Sequence, residues 1–230
     1  MNVAVILAAG NGKRLGGEIP KQFVAVGHKM VIEFSIEQFQ QHPDIDEIAV
    51  ITSADFINVV NDIKANPAYS KLKTVLLGGA ERYQSSLAAI RHYASQPEAV
   101  LLIHDAARPL VSRQIISDVV AMMKTHNAAV VAIPATDTVL CSQDHRCVTE
   151  IPPRSQMYYA QTPQAFRQKT IQRAFEIGLR DDQFNPTDDS GVVLRYLPEE
   201  SIAIISGESI NKKITYQDDL SWFSSQIKND

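Results

Sequence analysis

Short β-branched apolar runs alternate along this chain with stretches in which apolar positions recur three and four residues apart. Val3–Leu7, Glu47–Thr52, Thr74–Leu77, Val100–His104 and Ala129–Ile133 are nearly continuous in apolar residues, a pattern that predicts strands buried on both faces. Val31–Gln40, Ala54–Ala65, Arg82–Ser95 and Ile115–His126 carry the helical period and predict helices packed on a sheet. Such an alternation predicts an α/β fold with a parallel sheet. In sheets of that kind ligands gather beyond the carboxyl ends of the strands, so the loops that follow strands are where chemistry is to be sought.

The alternation weakens after Pro134. Thr138–Cys141 and Cys147–Ile151 flank the polar turn Ser142–Arg146 and predict a hairpin, which Pro152 and Pro153 close. With no place in a parallel core, this segment, about 136–158, is expected to project as a β-arm whose exposed edge a partner chain would cover, or to form a plain surface hairpin. Beyond it the pattern predicts helices near Gln164–Ile177 and Asp188–Tyr196, a strand at Ser201–Ile205 and a last helix from about Gln217. Residues 1–230 are thus expected to form a single domain, and the length suffices for a sizeable core.

Composition narrows the classes. A formal charge of -4 with 21% charged residues gives no basic excess of the kind nucleic-acid binders carry. No apolar run reaches the roughly 18 residues of a membrane span and no leader-like segment opens the chain, so a cytoplasmic protein with neither nucleic-acid nor membrane partners is expected. Cys141 and Cys147 match no metal-site or disulfide framework and are expected to be reduced.

The stretch Val5–Phe23 joins the first strand to a glycine-rich, cationic loop. A Walker loop fails here: Leu7 stands where its first glycine belongs and Arg14 where Ser or Thr follows the lysine. A dinucleotide fingerprint from Gly10 fails at its third glycine, where Leu15 stands. What remains is a loop whose backbone N–H groups at Gly10 and Gly12 can face an anion, with Lys13, Arg14 and Lys21 to neutralise several charges. A triphosphate fits it.

Other candidates stand at strand ends. Asp105, after a buried run, suits Mg²⁺, though capping its turn or pairing with Arg108 would equally place a carboxylate there. His104 is expected to be a packed, hydrogen-bonded residue rather than an acid or base. Arg82 and Ser85 suit either a binding loop or an ordinary helix start.

Ala8-Ala9-Gly10-Asn11-Gly12-Lys13-Arg14-Leu15 with Pro20-Lys21-Gln22 resembles the signature of the sugar and polyol nucleotidyltransferases. Further blocks resemble, in order, the 2-C-methyl-D-erythritol 4-phosphate cytidylyltransferase family within them: Gly78–Arg82 with Ser85, His104–Pro109, Asp137-Thr138, Gln161–Gln164, Thr187–Asp189 and Asn211–Thr215. The resemblance implies a Rossmann-like, mostly parallel sheet with helices on both faces, and transfer of CMP from CTP to a polyol phosphate with Mg²⁺. It implies that Arg14, Lys21 and Lys213 serve the triphosphate and the transition state, with Asp105 beside the metal and the acceptor. The backbone around Ala8, Ala9, Gly10 and Gly12 would cradle the triphosphate, with Lys13 near, while Gly79, Arg82 and Ser85 lie against cytosine and ribose. Ala80 departs from the acidic residue of some members. A homodimer is also implied, in which Thr138 and Arg154 of the arm reach the neighbouring site and hold the acceptor phosphate with Arg108 and Thr162. Which of Lys212 and Lys213 points inward is left open.

Pro152-Pro153 before Arg154 resembles instead the ribitol 5-phosphate cytidylyltransferases, whereas Ala106-Ala107 and Asp188-Asp189 favour the erythritol branch. Two unrelated readings would share such a sheet: a nicotinamide-dependent oxidoreductase, opposed by the failed fingerprint, and a nucleotide sensor without turnover, opposed by the full set of cations with Asp105.

Overall fold

The computed structural model describes residues 1–10 and 19–227. In chain order the elements are β1 (Asn2–Ala8), β2 (Ala25–Val26), β3 (Lys29–Met30), α1 (Val31–Gln40), β4 (Glu47–Thr52), α2 (Ile57–Ala65), β5 (Leu72–Leu77) and α3 (Arg82–His92). There follow β6 (Val100–Asp105), α4 (Arg113–Met122), β7 (Ala128–Pro134), β8 (Tyr158–Arg167), α5 (Gln168–Gly178), α6 (Asp189–Tyr196), β9 (Ile202–Ser206) and α7 (Gln217–Ile227). Seven strands form one sheet in the order β5-β4-β1-β6-β8-β7-β9, and β2 and β3 pair separately.

Strand β1 shows why both faces are covered. Its successive side chains point to opposite sides and almost all are buried. Ala4, Ile6 and Ala8 pack with Ile36 and Phe39 of α1, Val60 of α2 and Ile116 and Val119 of α4. Val3, Val5 and Leu7 pack on the other side with Ile90 of α3, Phe175 of α5 and Val193 of α6. A smaller cluster, Val26, Val31, Ile214 and Phe223, ties α7 and the segment before it to α1. This doubly covered sheet is why the strands read as continuous apolar runs.

The sheet departs from the sequence expectation at β8. A helix is expected from about Gln164, but the strand runs to Arg167 and the helix starts at Gln168. This strand pairs antiparallel with both β6 and β7, whereas β1, β4, β5 and β6 run parallel. Its middle, Gln161, Thr162 and Gln164, is polar yet buried, because those side chains bond to loops at the sheet end rather than to apolar neighbours. A polar strand at a sheet centre carries no hydrophobic period to read.

Smaller departures have local causes. Ser112 accepts a hydrogen bond from Ile115 N at 3.1 Å, so α4 starts at Arg113 rather than Ile115. A 3-10 turn, Ala54–Phe56, replaces the expected first turn of α2. Between β7 and β8 the two expected strands reduce to one antiparallel bridge, Cys141 with Glu150. Asp144 Oδ1 accepts from Arg146 N and Cys147 N, both at 2.9 Å, which takes those donors away from any ladder. The segment is mostly exposed, with Leu140, Val148 and Ile151 all more than half accessible. Among the described residues no helix is long and apolar enough to cross a membrane.

Candidate active site

The carboxyl ends of β1, β5 and β6 open onto one cleft of about 540 Å³. Ala9 and Gly10 form one wall, Gly79, Arg82 and Ser85 another, and Asp105 and Lys213 lie between them. Lys21 enters from the 3-10 turn Lys21–Phe23. Close approach of the two walls depends on Gly78: a Cβ there would sit 2.5 Å from both Ala9 Cβ and Ser85 Oγ. Gln22, 4% exposed, donates to Ala8 O and Gly10 O at 2.7 Å each, and so fixes the exit of β1 against the turn bearing Lys21. This role of Gln22 escapes sequence reading, because a buried amide in a loop has no distinguishing spacing.

Asp105 is the centre of charge. Lys213 Nζ lies 2.8 Å from Oδ2, Arg82 Nε 3.4 Å from Oδ1, and Arg108 Nε 3.9 Å from Oδ2. Burial by itself would raise the carboxyl pKa, but Lys213, Arg82 and Arg108 outweigh it and hold the group well below the usual carboxylate range. Asp105 is therefore ionised wherever the protein works. Of the readings left open, pairing with Arg108 is present at 3.9 Å, with Lys213 the nearer partner.

Behind Asp105 a hydrogen-bond chain fixes its position. Its backbone N donates to Thr162 Oγ1 at 3.1 Å, and Thr162 Oγ1 lies 3.0 Å from His104 Nδ1. His104 Nε2 lies 3.0 Å from Arg108 O, which can only accept, so the proton sits on Nε2 and Thr162 O–H donates to Nδ1. Burial pushes the His104 pKa down to about 4, which keeps the ring neutral. His104 is thus the packed, hydrogen-bonded residue the sequence suggests, and Thr162 stands behind the cleft with its hydroxyl committed on both sides.

Arg108 is partly buried beside it, and desolvation lowers its pKa. Its guanidinium donates to Asn211 O at 2.7 Å and to Ala160 O at 3.4 Å. Asn211, fully buried, donates in turn to Gln161 Oε1 and Thr162 O, and Ile214 N donates to Ala107 O. These bonds pin the segment that carries the paired lysines. Lys213 consequently faces Asp105, while Lys212 pairs with Asp219 at 2.5 Å and lies over the Trp222 ring.

Of the remaining sequence candidates, Thr138 and Arg154 do not join this group within the chain. Both are exposed on the segment between β7 and β8, where Arg154 donates to Thr136 O at 3.1 Å. Gly12, Lys13 and Arg14 lie outside the described residues. Among the described residues the cleft is lined by the cations Lys21, Arg82 and Lys213 against the carboxylates Glu81 and Asp105, beside the backbone of Ala9 and Gly10, a balance that suits anionic substrates.

The sequence model of the IspD family, 2-C-methyl-D-erythritol 4-phosphate cytidylyltransferase, matches residues 2–227. The chain belongs to that family. Two relatives frame its place within the cytidylyltransferases. The bifunctional ribulose 5-phosphate reductase/CDP-ribitol pyrophosphorylase Bcs1 of Haemophilus influenzae is 39% identical over 221 residues, 95% of this chain but 46% of the relative. This chain therefore spans about half the length of that relative. The 2-C-methyl-D-erythritol 4-phosphate cytidylyltransferase of Bifidobacterium longum (strain DJO10A) is 38% identical over 224 residues, 95% of this chain and 77% of the relative. In fold, the 4-diphosphocytidyl-2C-methyl-D-erythritol synthase of Anaerococcus prevotii superposes with a TM-score of 0.84 at 27% identity, covering 99% of this chain and 96% of that one. The Rossmann-like α/β sheet expected from the sequence is the sheet of this cytidylyltransferase family.

Proposed function

We propose that the protein transfers the cytidylyl group of CTP to 2-C-methyl-D-erythritol 4-phosphate and releases pyrophosphate. The observation that carries this reading is the cluster of Lys213, Arg82 and Asp105 at the floor of a strand-end cleft, in a chain that belongs to this family over residues 2–227. An oxygen of the acceptor phosphate attacks the α-phosphorus of CTP, a new P–O bond forms, and the bond to the bridging oxygen breaks as pyrophosphate leaves. A phosphate monoester has its second pKa near ~6, so the nucleophile is already ionised at neutral pH and needs no strong base. The neutral, buried His104 accordingly takes no part.

What the protein must supply is positioning and charge. Two anions have to approach, and negative charge spreads over phosphate oxygens at the transition state. Lys21, Lys213 and Arg14 are the cations assigned to that charge, and the backbone of Ala8, Ala9, Gly10 and Gly12, with Lys13, to the triphosphate. Gly79, Arg82 and Ser85 line the wall assigned to the nucleoside. Asp105 would hold Mg²⁺: its Oδ1 faces Arg82 Nε at 3.4 Å, a longer contact than the 2.8 Å from Oδ2 to Lys213, and Mg²⁺ commonly takes one or two carboxylates with substrate phosphates and water. When bound, the ion adds positive charge at the phosphate oxygens.

The acceptor phosphate is assigned to Arg108 with Thr138 and Arg154 from a second copy, Thr162 serving that site from behind through the hydrogen bond that holds Asp105, and the whole chain is read as one nucleotidyltransferase domain of a cytoplasmic homodimer. Support for the dimer lies in the arm: Thr138 and Arg154 lie outside their own cleft, and Leu140, Val148 and Ile151 present apolar surface beside them. If arms cross over, mixing Lys213→Ala with Arg154→Ala subunits restores one intact site per mixed dimer, with about half the wild-type rate in a two-fold assembly. No recovery in purified mixed dimers would show that each arm serves its own subunit.

A second acceptor has a specific observation behind it. The relative at 39% identity is a CDP-ribitol pyrophosphorylase, and Pro152-Pro153 precedes Arg154. Turnover with CTP and Mg²⁺ is therefore to be measured with 2-C-methyl-D-erythritol 4-phosphate, ribitol 5-phosphate and glycerol phosphate side by side. The first is expected to give the highest kcat/KM. Preference for ribitol 5-phosphate would move the chain to the other acceptor, and no pyrophosphate release with any of them would end the transferase reading.

A further inference from the structure

Arg82 occupies an electrostatically awkward place. It is the first residue of α3, where the exposed N–H groups of a helix disfavour a cation. Two carboxylates compensate, at unequal distances: NH1 donates to Asp189 Oδ2 at 2.6 Å, whereas Nε lies 3.4 Å from Asp105 Oδ1. Asp189 is fully buried. Among the described residues its Oδ1 accepts no hydrogen bond, so the site is not built for the best solvation of that carboxylate.

Asp189 is also held rigidly. It opens α6, and Gln164 Oε1 on β8 accepts from Asp189 N at 3.1 Å and from Ser190 N at 3.0 Å. Gln164 Nε2 donates to Asp188 Oδ2 at 2.7 Å, and Asp188 Oδ1 caps the helix through Gly191 N. The carboxylate that attracts Arg82 most closely therefore cannot follow it. Arg82 is drawn towards α6 and away from Asp105.

Given the cytidylyltransferase reading on which it rests, we infer that Asp189 is a positioning residue that parks the Arg82 guanidinium, holding its Nε at the long distance of 3.4 Å from Asp105 Oδ1 rather than in a close pair. Without the Asp189 charge, Asp105 is the remaining carboxylate with which Arg82 forms an ion pair. The guanidinium closes onto Asp105, whose other oxygen already pairs with Lys213, and the wall that faces the nucleotide shifts. Asp189 touches no substrate in this scheme and acts through Arg82 alone.

The test is a double-mutant cycle read by CTP binding in the presence of Mg²⁺ and the absence of acceptor, by titration calorimetry, together with KM for each substrate. Asp189→Asn keeps size and removes charge. It is expected to weaken CTP binding about tenfold, leave KM for the polyol phosphate within about twofold, and have no further effect in an Arg82→Gln background, because residues acting through one another are not additive. Arg82→Lys, which cannot span two carboxylates with a planar fork, is expected to reproduce the CTP defect. That variant keeps the inference testable should Asp189→Asn not fold. Asp189→Asn binding CTP as the wild type does, an equal Asp189→Asn effect with Arg82 removed, or Arg82→Lys binding CTP normally would each overturn the positioning role. A wild-type protein that neither binds nor turns over CTP would instead remove the cytidylyltransferase reading itself.

Discussion

Asp105→Asn is expected to lower kcat by about 10³-fold, or ~4 kcal/mol of transition-state stabilisation, while the protein stays folded. The carboxylate organises Lys213, Arg82 and Arg108 around one point, and asparagine fills the same space without the charge that holds them. Stability should fall by only about 1–3 kcal/mol, less than for a single isolated buried pair, because the orphaned cations keep other partners. Arg82 retains Asp189, Arg108 retains two backbone carbonyls, and Lys213 reaches solvent. Steady-state kinetics and a denaturant midpoint check the two halves separately. A variant within tenfold of wild-type kcat would remove Asp105 from the reacting centre.

The pH behaviour of Asp105 follows from its depressed pKa. Its folded-state value lies below the unfolded value of ~3.9, so its contribution to stability is complete above that value and is lost as pH falls through the folded pKa. No titration of Asp105 therefore shapes activity near neutrality. A fall in rate towards pH ~6 belongs to protonation of the acceptor phosphate and should persist, at a lower level, in Asp105→Asn.

Lys213→Ala should reduce kcat by about 10²–10³-fold with a stability change near ~1 kcal/mol or less. Its side chain is 41% exposed, so solvent screens its pairing with Asp105 and little of the fold rests on it. It stands 2.8 Å from the Asp105 carboxylate, where the proposed transfer would develop charge. If it acts chiefly in the transition state, kcat and kcat/KM fall by similar factors. A rise in KM with kcat unchanged would make it a ground-state binding residue. Lys212→Ala is the internal comparison: that ammonium faces Asp219 and Trp222, and its loss should leave kcat within about threefold.

Part of this candidate site is legible from residue order. Gly10 and Lys21 after β1, the carboxylate ending β6 and Lys213 are picked out by residue type and motif, and the structure places all four on one cleft. Three features are not legible. The strand β8 is hidden because Gln161, Thr162 and Gln164 are buried by hydrogen bonds, which leave no hydrophobic period. The supporting parts of Gln22, Asn211 and Asp189 are hidden because each bonds across a separation in sequence of at least twelve residues, which spacing cannot reveal. The choice between Lys212 and Lys213 depends on how that segment is pinned, since adjacent lysines are chemically alike.

The amino-acid sequence by itself determined the layered α/β architecture and the types of charge available, because apolar periodicity and residue chemistry are local properties. Tertiary structure alone decided that Asp105 is shared among Lys213, Arg82 and Arg108, that Thr162 and His104 stand behind it, and that Asp189 draws Arg82 aside. Coulomb attraction and hydrogen bonding depend on distances between side chains far apart in the chain, and those distances come into being only when the sheet forms.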